Sequence, residues 1–243
     1  GFAHAANLPS TWSETENVVW KTPLPWWSGS SPVVWGERVF VTSPSKPEAG
    51  SGEVSPLHEG GPDILLLCIA KGDGSILWER QLDTGNTSNS KQNCSSPTPV
   101  TDGERVWAVT GTGTVAAFTM DGEMLWKRNL QTDYGVFGLQ FGYASSPVLC
   151  DGKLILQVLH GFKTEAPSYL VALDALSGEE QWRVERPTDA IRESRDAYNT
   201  PALLRFDGKT QIVVSGGDYV TGHDLETGKE IWRAGGLNPR KSE

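Results

Sequence analysis

Apolar and polar residues alternate along most of the chain in short runs, and no stretch sustains the three-to-four-residue spacing of an amphipathic helix. The runs 38–42, 105–110, 154–159 and 211–215 are rich in Val, Ile and aromatic residues and read as strands. Ahead of them stand turn signals, Trp35-Gly36, Asp102-Gly103, Asp151-Gly152 and Asp207-Gly208. Ahead of those stand the openings Ser31-Pro32, Ser96-Pro97, Ser146-Pro147 and Thr200-Pro201. Each Pro-led run is therefore expected to pair with the next run as a hairpin, with proline confined to the strand start, where its missing N–H costs little. A second recurring frame begins at Cys68, Ala116, Ala172 and Gly222 and ends at Trp78, Trp126, Trp182 and Trp232. Its glycine, Gly74, Gly122, Gly178 or Gly228, stands at the same distance before the tryptophan, so the frame reads as strand, tight turn, strand. A lone tryptophan-bearing run at 16–24, around Trp20, resembles the end of this frame.

Each unit thus holds four strands, and the tryptophans recur at intervals of about 50 residues, the length of a four-stranded propeller blade. The pattern predicts an all-β fold, a β-propeller of four-stranded antiparallel blades. Its expected parts are an N-terminal arm at 1–15, a closing outer strand at 16–24, blades at 30–82, 95–130, 145–186 and 199–236, and the start of a linker at 237–243. A β-sandwich would need no self-similar sequence, so radial repetition explains more. Five Trp-type strands against four Pro-led strands do not balance. The chain is accordingly expected to be part of a longer ring of roughly eight blades, with assembly of two copies as the alternative.

Strand parity places the short turns at one end of every blade and the insertions 44–62, 84–94, 131–144, 161–167 and 188–198 at the other. Variable loops on a rigid scaffold are where binding usually sits, so that face is the candidate functional surface. Just before the innermost strands, at the expected mouth of the central channel, come Trp26, Trp27, Asn93, Tyr134, Phe137, Gln140, Phe141, Tyr143, Arg192, Arg195, Tyr198 and Asn199. Aromatic faces with amide and guanidinium tips suit sugars, peptides or planar cofactors. The alternative is that Gly135, Gly138 and Gly142 let their segment fold back over its own aromatics. Loss of ligand binding without loss of stability in Trp27→Ala or Tyr143→Ala would favour the first reading, and a large fall in melting temperature the second.

Composition narrows the partners. The chain has 21 basic and 30 acidic residues, a net charge of -9, and no basic cluster, which argues against nucleic acid. No apolar run approaches a membrane span. Cys68, Cys94 and Cys150 are far apart and read as buried thiols, and His4, His58, His160 and His223 have no partner at metal or triad spacing. No catalytic or metal-ligating residue is assigned. Gly111-Thr112-Gly113 and Gly216-Gly217 open no helix and so fail as phosphate loops. The serines of the Ser-Pro openings recur with the repeat and read as architectural.

The frame Ala-x-Asp-x-x-Thr-Gly-Lys-x-x-Trp is approached most closely at Asp224, Thr227, Gly228, Lys229 and Trp232 and at Ala172, Asp174, Gly178 and Trp182. It resembles the tryptophan-docking motif of the pyrroloquinoline-quinone (PQQ)-like propeller repeats, and the likeness covers 16–236. Phe118 and Ala70 at the Asp position, and Ser75 and Glu123 at the Lys position, depart from it. The resemblance implies that Trp20, Trp78, Trp126, Trp182 and Trp232 are structural staples between blades, and that the protein is periplasmic or extracellular. Such families contain non-catalytic scaffolds, including the lipoprotein propeller of outer-membrane barrel assembly, and quinoprotein dehydrogenases that hold PQQ and calcium. The dehydrogenases' adjacent cysteines are missing here, and Asp189, Glu193 and Asp196 form the only dense acidic group on the candidate face, flanked by Arg192 and Arg195. The expectation is a scaffold without cofactor that binds a protein, a saccharide or another small ligand on the long-loop face. The alternative is a PQQ- and calcium-dependent oxidoreductase whose site lies largely outside this chain.

Overall fold

A computed structural model of the chain describes residues 8–47, 60–89 and 92–237. The first part of the expected arm, most of the insertion at 44–62, the residues from 238 onward, His4 and His58 lie outside the described residues. Among the described residues, sixteen strands form four sheets of four. Blade 1 holds β1 (Val33–Trp35), β2 (Arg38–Pro44), β3 (Asp63–Ala70) and β4 (Ile76–Thr84). Blade 2 holds β5 (Val100–Thr101), β6 (Arg105–Val109), β7 (Thr114–Thr119) and β8 (Met124–Asn129). Blade 3 holds β9 (Val148–Cys150), β10 (Lys153–Val158), β11 (Tyr169–Asp174) and β12 (Glu180–Glu185). Blade 4 holds β13 (Ala202–Phe206), β14 (Lys209–Gly216), β15 (Tyr219–Asp224) and β16 (Glu230–Ala234). Every neighbouring pair is antiparallel and follows chain order. A short helix α1 (Leu130–Tyr134) interrupts one insertion, capped by Asn129, whose side chain accepts from the N–H groups of Gln131 and Thr132.

Blades pack face to face through apolar residues that alternate along the central strands. Phe40, Ile64, Leu66 and Cys68 of blade 1 meet Val106, Ala108, Ala116 and Phe118 of blade 2. Trp107, Val109, Val115 and Ala117 meet Leu154, Leu156, Tyr169 and Val171 of blade 3, and Ile155, Leu170 and Ala172 meet Ile212 and Val214 of blade 4. Central strands buried on both faces explain why β3, β7 and β11 read as nearly continuous apolar runs.

The Gly–Trp frame stitches these packings together. The indole N–H of Trp78 donates to the Met120 carbonyl, that of Trp126 to Ala175, and that of Trp182 to Leu225, in each case in the turn of the next blade. The ring then lies against that turn's glycine. A Cβ on Gly122, Gly178 or Gly228 would come within 2.9, 2.7 or 2.4 Å of the indole, and φ there is +83°, +74° or +70°. Only glycine satisfies both the space and the backbone. Trp20 sits the same way on Gly74, its indole donating to the Lys71 carbonyl. The segment 16–24 is nevertheless not a strand. Trp20 and Leu24 rest on the outward face of blade 1, over Val39, Val41, Leu65 and Leu67, and no described strand lies alongside to give the backbone a ladder. Trp232 differs, lying over Gly222 of its own blade and donating to Gln211 Oε1.

Two repeats are out of step in blade 2. Register sets Ala117, not Ala116, opposite Trp126, whereas Cys68, Ala172 and Gly222 oppose the other tryptophans, so this turn is one residue shorter. Thr119 rather than Phe118 therefore occupies the Asp position, and its hydroxyl accepts from the Glu123 N–H much as Asp174 accepts from Ser177. Likewise Val100 pairs with Trp107 as Val33 pairs with Phe40, so the innermost strand follows Pro99, not Pro97. In that register the recurring hydroxyls link the innermost strands. Ser31 N–H donates to Thr98 Oγ1 (3.0 Å), Thr98 N–H to Ser146 Oγ (2.9 Å) and Ser146 N–H to Thr200 Oγ1 (3.2 Å).

Candidate functional site

Antiparallel order puts the β2–β3 and β6–β7 connections, and all three blade-to-blade connections, at one end of the sheets. The loops there are fastened to one another. Asp196 is buried, and its carboxylate accepts from Gln140 N–H (2.7 Å) in the blade 2–3 connection and from Phe162 N–H (3.0 Å) in the β10–β11 loop, with the Tyr198 hydroxyl at 3.4 Å. His160 is also buried. Its Nδ1 accepts from Gly138 N–H and its Nε2 faces the Pro167 carbonyl, an arrangement that fits the neutral imidazole protonated at Nε2. Gln92 Nε2 donates to the Phe141 and Gly142 carbonyls, and Arg195 pairs with Glu165. Burial holds the His160 imidazole below its ordinary value and pushes the Tyr198 phenol up to about 12.

The sequence-selected residues divide by exposure. Tyr143 and Asn93 are buried, each about 2% exposed, and do not face solvent. Tyr143 packs with Phe137 at 4.8 Å between ring centres, inside the core shared by blades 2 and 3, and its hydroxyl has no hydrogen-bond partner. This is the folding back that Gly135, Gly138 and Gly142 suggested: Gly138 is buried, and Gly135 and Gly142 adopt φ of +102° and +80°. Asn93 bridges backbones, its Nδ2 donating to the Trp27 carbonyl and its Oδ1 accepting from Ser95. Trp26, Trp27, Gln140, Arg195 and Tyr198 are half-buried, and Arg192 and Asn199 are exposed. Asn199 Oδ1 accepts from Gln157 Nε2 (2.8 Å). The buried Oε1 atoms of Gln140 and Gln157 have no partner.

The acidic group is dispersed. Asp196 is committed to the two loops, Asp189 accepts from the Tyr219 hydroxyl (2.7 Å), and Glu193 is exposed in the 3₁₀ turn Arg192–Arg195. Among the described residues no three His, Cys, Asp or Glu side chains gather as a metal site, and Cys68, Cys94 and Cys150 are free and buried. These residues do not fit a calcium ion, which needs six or more converging oxygens. Sequence reasoning missed His160 and the hub role of Asp196, whose partners are backbone groups of distant loops. It also missed exposed Val136, Phe162 and Ile191. The position of Val136 in the short segment between Gly135 and Gly138 was the available signal.

Four successive four-stranded antiparallel sheets are the blades of a PQQ-like propeller. The chain belongs to the family described as outer membrane protein assembly factor BamB, whose profile matches residues 10–134 and again 62–243. Among curated proteins it is similar to a lanthanide-dependent methanol dehydrogenase of Methylorubrum extorquens, 32% identical over 94 residues, or 37% of this chain and 14% of that enzyme. It is also similar to the quinohemoprotein alcohol dehydrogenase ADH-IIG of Pseudomonas putida, 30% identical over 128 residues, or 46% of this chain and 15% of the enzyme. The matched stretches thus span about a seventh of those relatives. In solved structures the fold recurs in the Pseudomonas putida enzyme, with a TM-score of 0.59, 14% identity and coverage of 90% of this chain and 36% of that one. It recurs again in the quinohemoprotein alcohol dehydrogenase of Comamonas testosteroni, with a TM-score of 0.60, 14% identity and coverage of 87% and 35%. No helix among the described residues is long and apolar enough to cross a membrane.

Proposed function

We propose that the chain forms the blades of a non-catalytic binding scaffold that acts outside the cytoplasm and meets a protein or small ligand on its long-loop face. One observation carries this reading. Polar side chains of that face, Asp196 foremost, tie its loops together, which leaves a stiffened platform from which exposed Val136, Phe162 and Ile191 project. A preorganised surface of this kind binds without losing loop entropy. The family's description as an assembly factor supports a protein partner. In this reading the tryptophan–glycine contacts serve docking between blades and the complete ring has roughly eight of them.

The partial matches to two dehydrogenases support a second reading, an oxidoreductase whose PQQ and calcium are held mainly by residues beyond this chain. Such a group would supply two-electron oxidation of an alcohol, and the blades described would serve as its wall. The two readings separate on incubation of the complete protein with PQQ and calcium. Neither a quinone absorption band nor dye reduction is expected, and the appearance of both would overturn the scaffold reading.

A further inference from the structure

The outer strands provide an internal comparison. Two residues ahead of each tryptophan occupy equivalent places: Val18-Val19, Ile76-Leu77, Met124-Leu125, Glu180-Gln181 and Glu230-Ile231. Blade 3 builds β12 with Glu and Gln there, so the fold does not require apolar residues at these positions. Blades 1 and 2 nevertheless expose Ile76, Leu77, Met124 and Leu125 at 45, 51, 60 and 45%. Grouped rather than scattered apolar exposure marks a contact surface.

The two pairs flank one Trp–Gly seam between blades. The Trp78 ring, next to Leu77, lies on Gly122, two residues before Met124. Trp20 makes the same contact with Gly74, so Val18-Val19 precede and Ile76-Leu77 follow the two partners of a like seam. Exposed Asp73, Glu79 and Glu123 border this stripe; of the basic side chains beside it, Lys71 is paired with Glu37, Arg38 with Asp121 and Arg80 with the Gly122 carbonyl, and Lys127 is exposed after Trp126. Because the stripe crosses from blade to blade, a strand added along β4 would cover only Ile76-Leu77. A rod lying across the seam reaches both pairs, and an α-helix with apolar residues at i, i+3 or i+4, and i+7 presents such a row. Lysine or arginine beside that row would answer the bordering carboxylates.

We propose that the outer edge of blades 1 and 2 docks a basic amphipathic helix of a partner protein across β4 and β8. This rests on the scaffold reading and gives it a second contact surface, on the rim. The test uses the complete protein and, as probe, a fluorescent synthetic leucine–lysine amphipathic helix followed by anisotropy. The paired changes Ile76→Glu with Leu77→Gln, and Met124→Glu with Leu125→Gln, copy the Glu180-Gln181 of blade 3 and should fold. Each pair is expected to weaken binding about tenfold, as loss of a buried interface anchor does, with the melting temperature unchanged. A proline-interrupted peptide is expected not to bind. Equal binding by the variants, equal binding of the interrupted peptide, a fall in melting temperature in the variants, or stripe-dependent binding to neutral lipid vesicles would each overturn the proposal. Quinone incubation reads the scaffold reading separately, so failure of the helix proposal alone leaves that result standing.

Discussion

At the scale of single residues, burial reassigns the most conspicuous aromatic of the long-loop face. Tyr143 contributes its ring to the core between blades 2 and 3, while its hydroxyl is buried without a partner. An unpaired buried hydroxyl costs about 1–3 kcal/mol, whereas deleting a buried aromatic ring costs about 3–5 kcal/mol. Tyr143→Phe is therefore expected to hold or raise stability and Tyr143→Ala to lower it severely, which urea unfolding of the two variants would show. Charge follows the same logic at His160 and His223, both buried and both held below the usual imidazole value mainly by burial. In the unfolded chain these rings take up protons near pH 6.5, and in the folded chain only at lower pH. Between those values the unfolded state binds more protons, so stability falls on acidification from pH 7 towards 5 and is flat in this respect above 7. Melting temperatures across that range should fall less steeply in a His160→Gln, His223→Gln double variant. An unchanged slope would place the acid sensitivity elsewhere.

At the scale of elements, the glycine that receives each tryptophan does two separable things. Gly178 adopts φ +74° and also leaves room for Trp126, whereas Gly152 adopts φ +72° with nothing within 4 Å of a Cβ. Gly152→Ala should therefore cost only the left-handed backbone, about 1–2 kcal/mol. Gly178→Ala should cost about 1–3 kcal/mol more, because the indole must move. Thermal denaturation of the pair isolates the seam contact, and equal losses would mean that the tryptophan seat contributes little. The same elements show what was legible in the sequence. Blade number, strand order and the face carrying the insertions followed from the Gly–Trp spacing and the Asp-Gly turns, because both are local. The shortened turn of blade 2 and the shift from Pro97 to Pro99 were not legible, because a ladder counts residues from its pairing partner, and Ser-Ser-Pro-Thr-Pro offers two equivalent-looking starts. The candidate site was read only in part. Residue type and position named Tyr143, Asn93 and Asp196, but their roles depend on the core between blades for Tyr143 and on backbone groups of distant loops for Asn93 and Asp196, which no local pattern identifies.

At the scale of the whole molecule, the two ends of the blade row are unlike. The outward face of blade 1 is covered by Trp20 and Leu24, which keep Val39, Val41, Leu65 and Leu67 buried. Blade 4 leaves Leu204 and Phe206 exposed at 42 and 69%. By register, Val213 opposes Ala202 and Gln211 opposes Leu204, so Leu204 and Phe206 lie on the face away from Ile212, which packs on blade 3, while Leu203, also exposed, lies on the Ile212 side. A face made to be buried on one end and a different face on the other form a head-to-tail contact, which either closes into a ring or propagates. Net charge of -9 opposes the approach of two copies, and salt screens that repulsion. The chain studied alone is therefore expected to associate with rising concentration, more strongly at higher ionic strength, as sedimentation velocity would show. Phe206→Lys should shift it back towards the monomer, while Leu77→Gln, on the outer rim, should not. Association that ignores Phe206 but responds to Leu77 would move the contact from the open blade face to the rim stripe, and a monomer at every concentration would show that blade 4 is stable with its face in water.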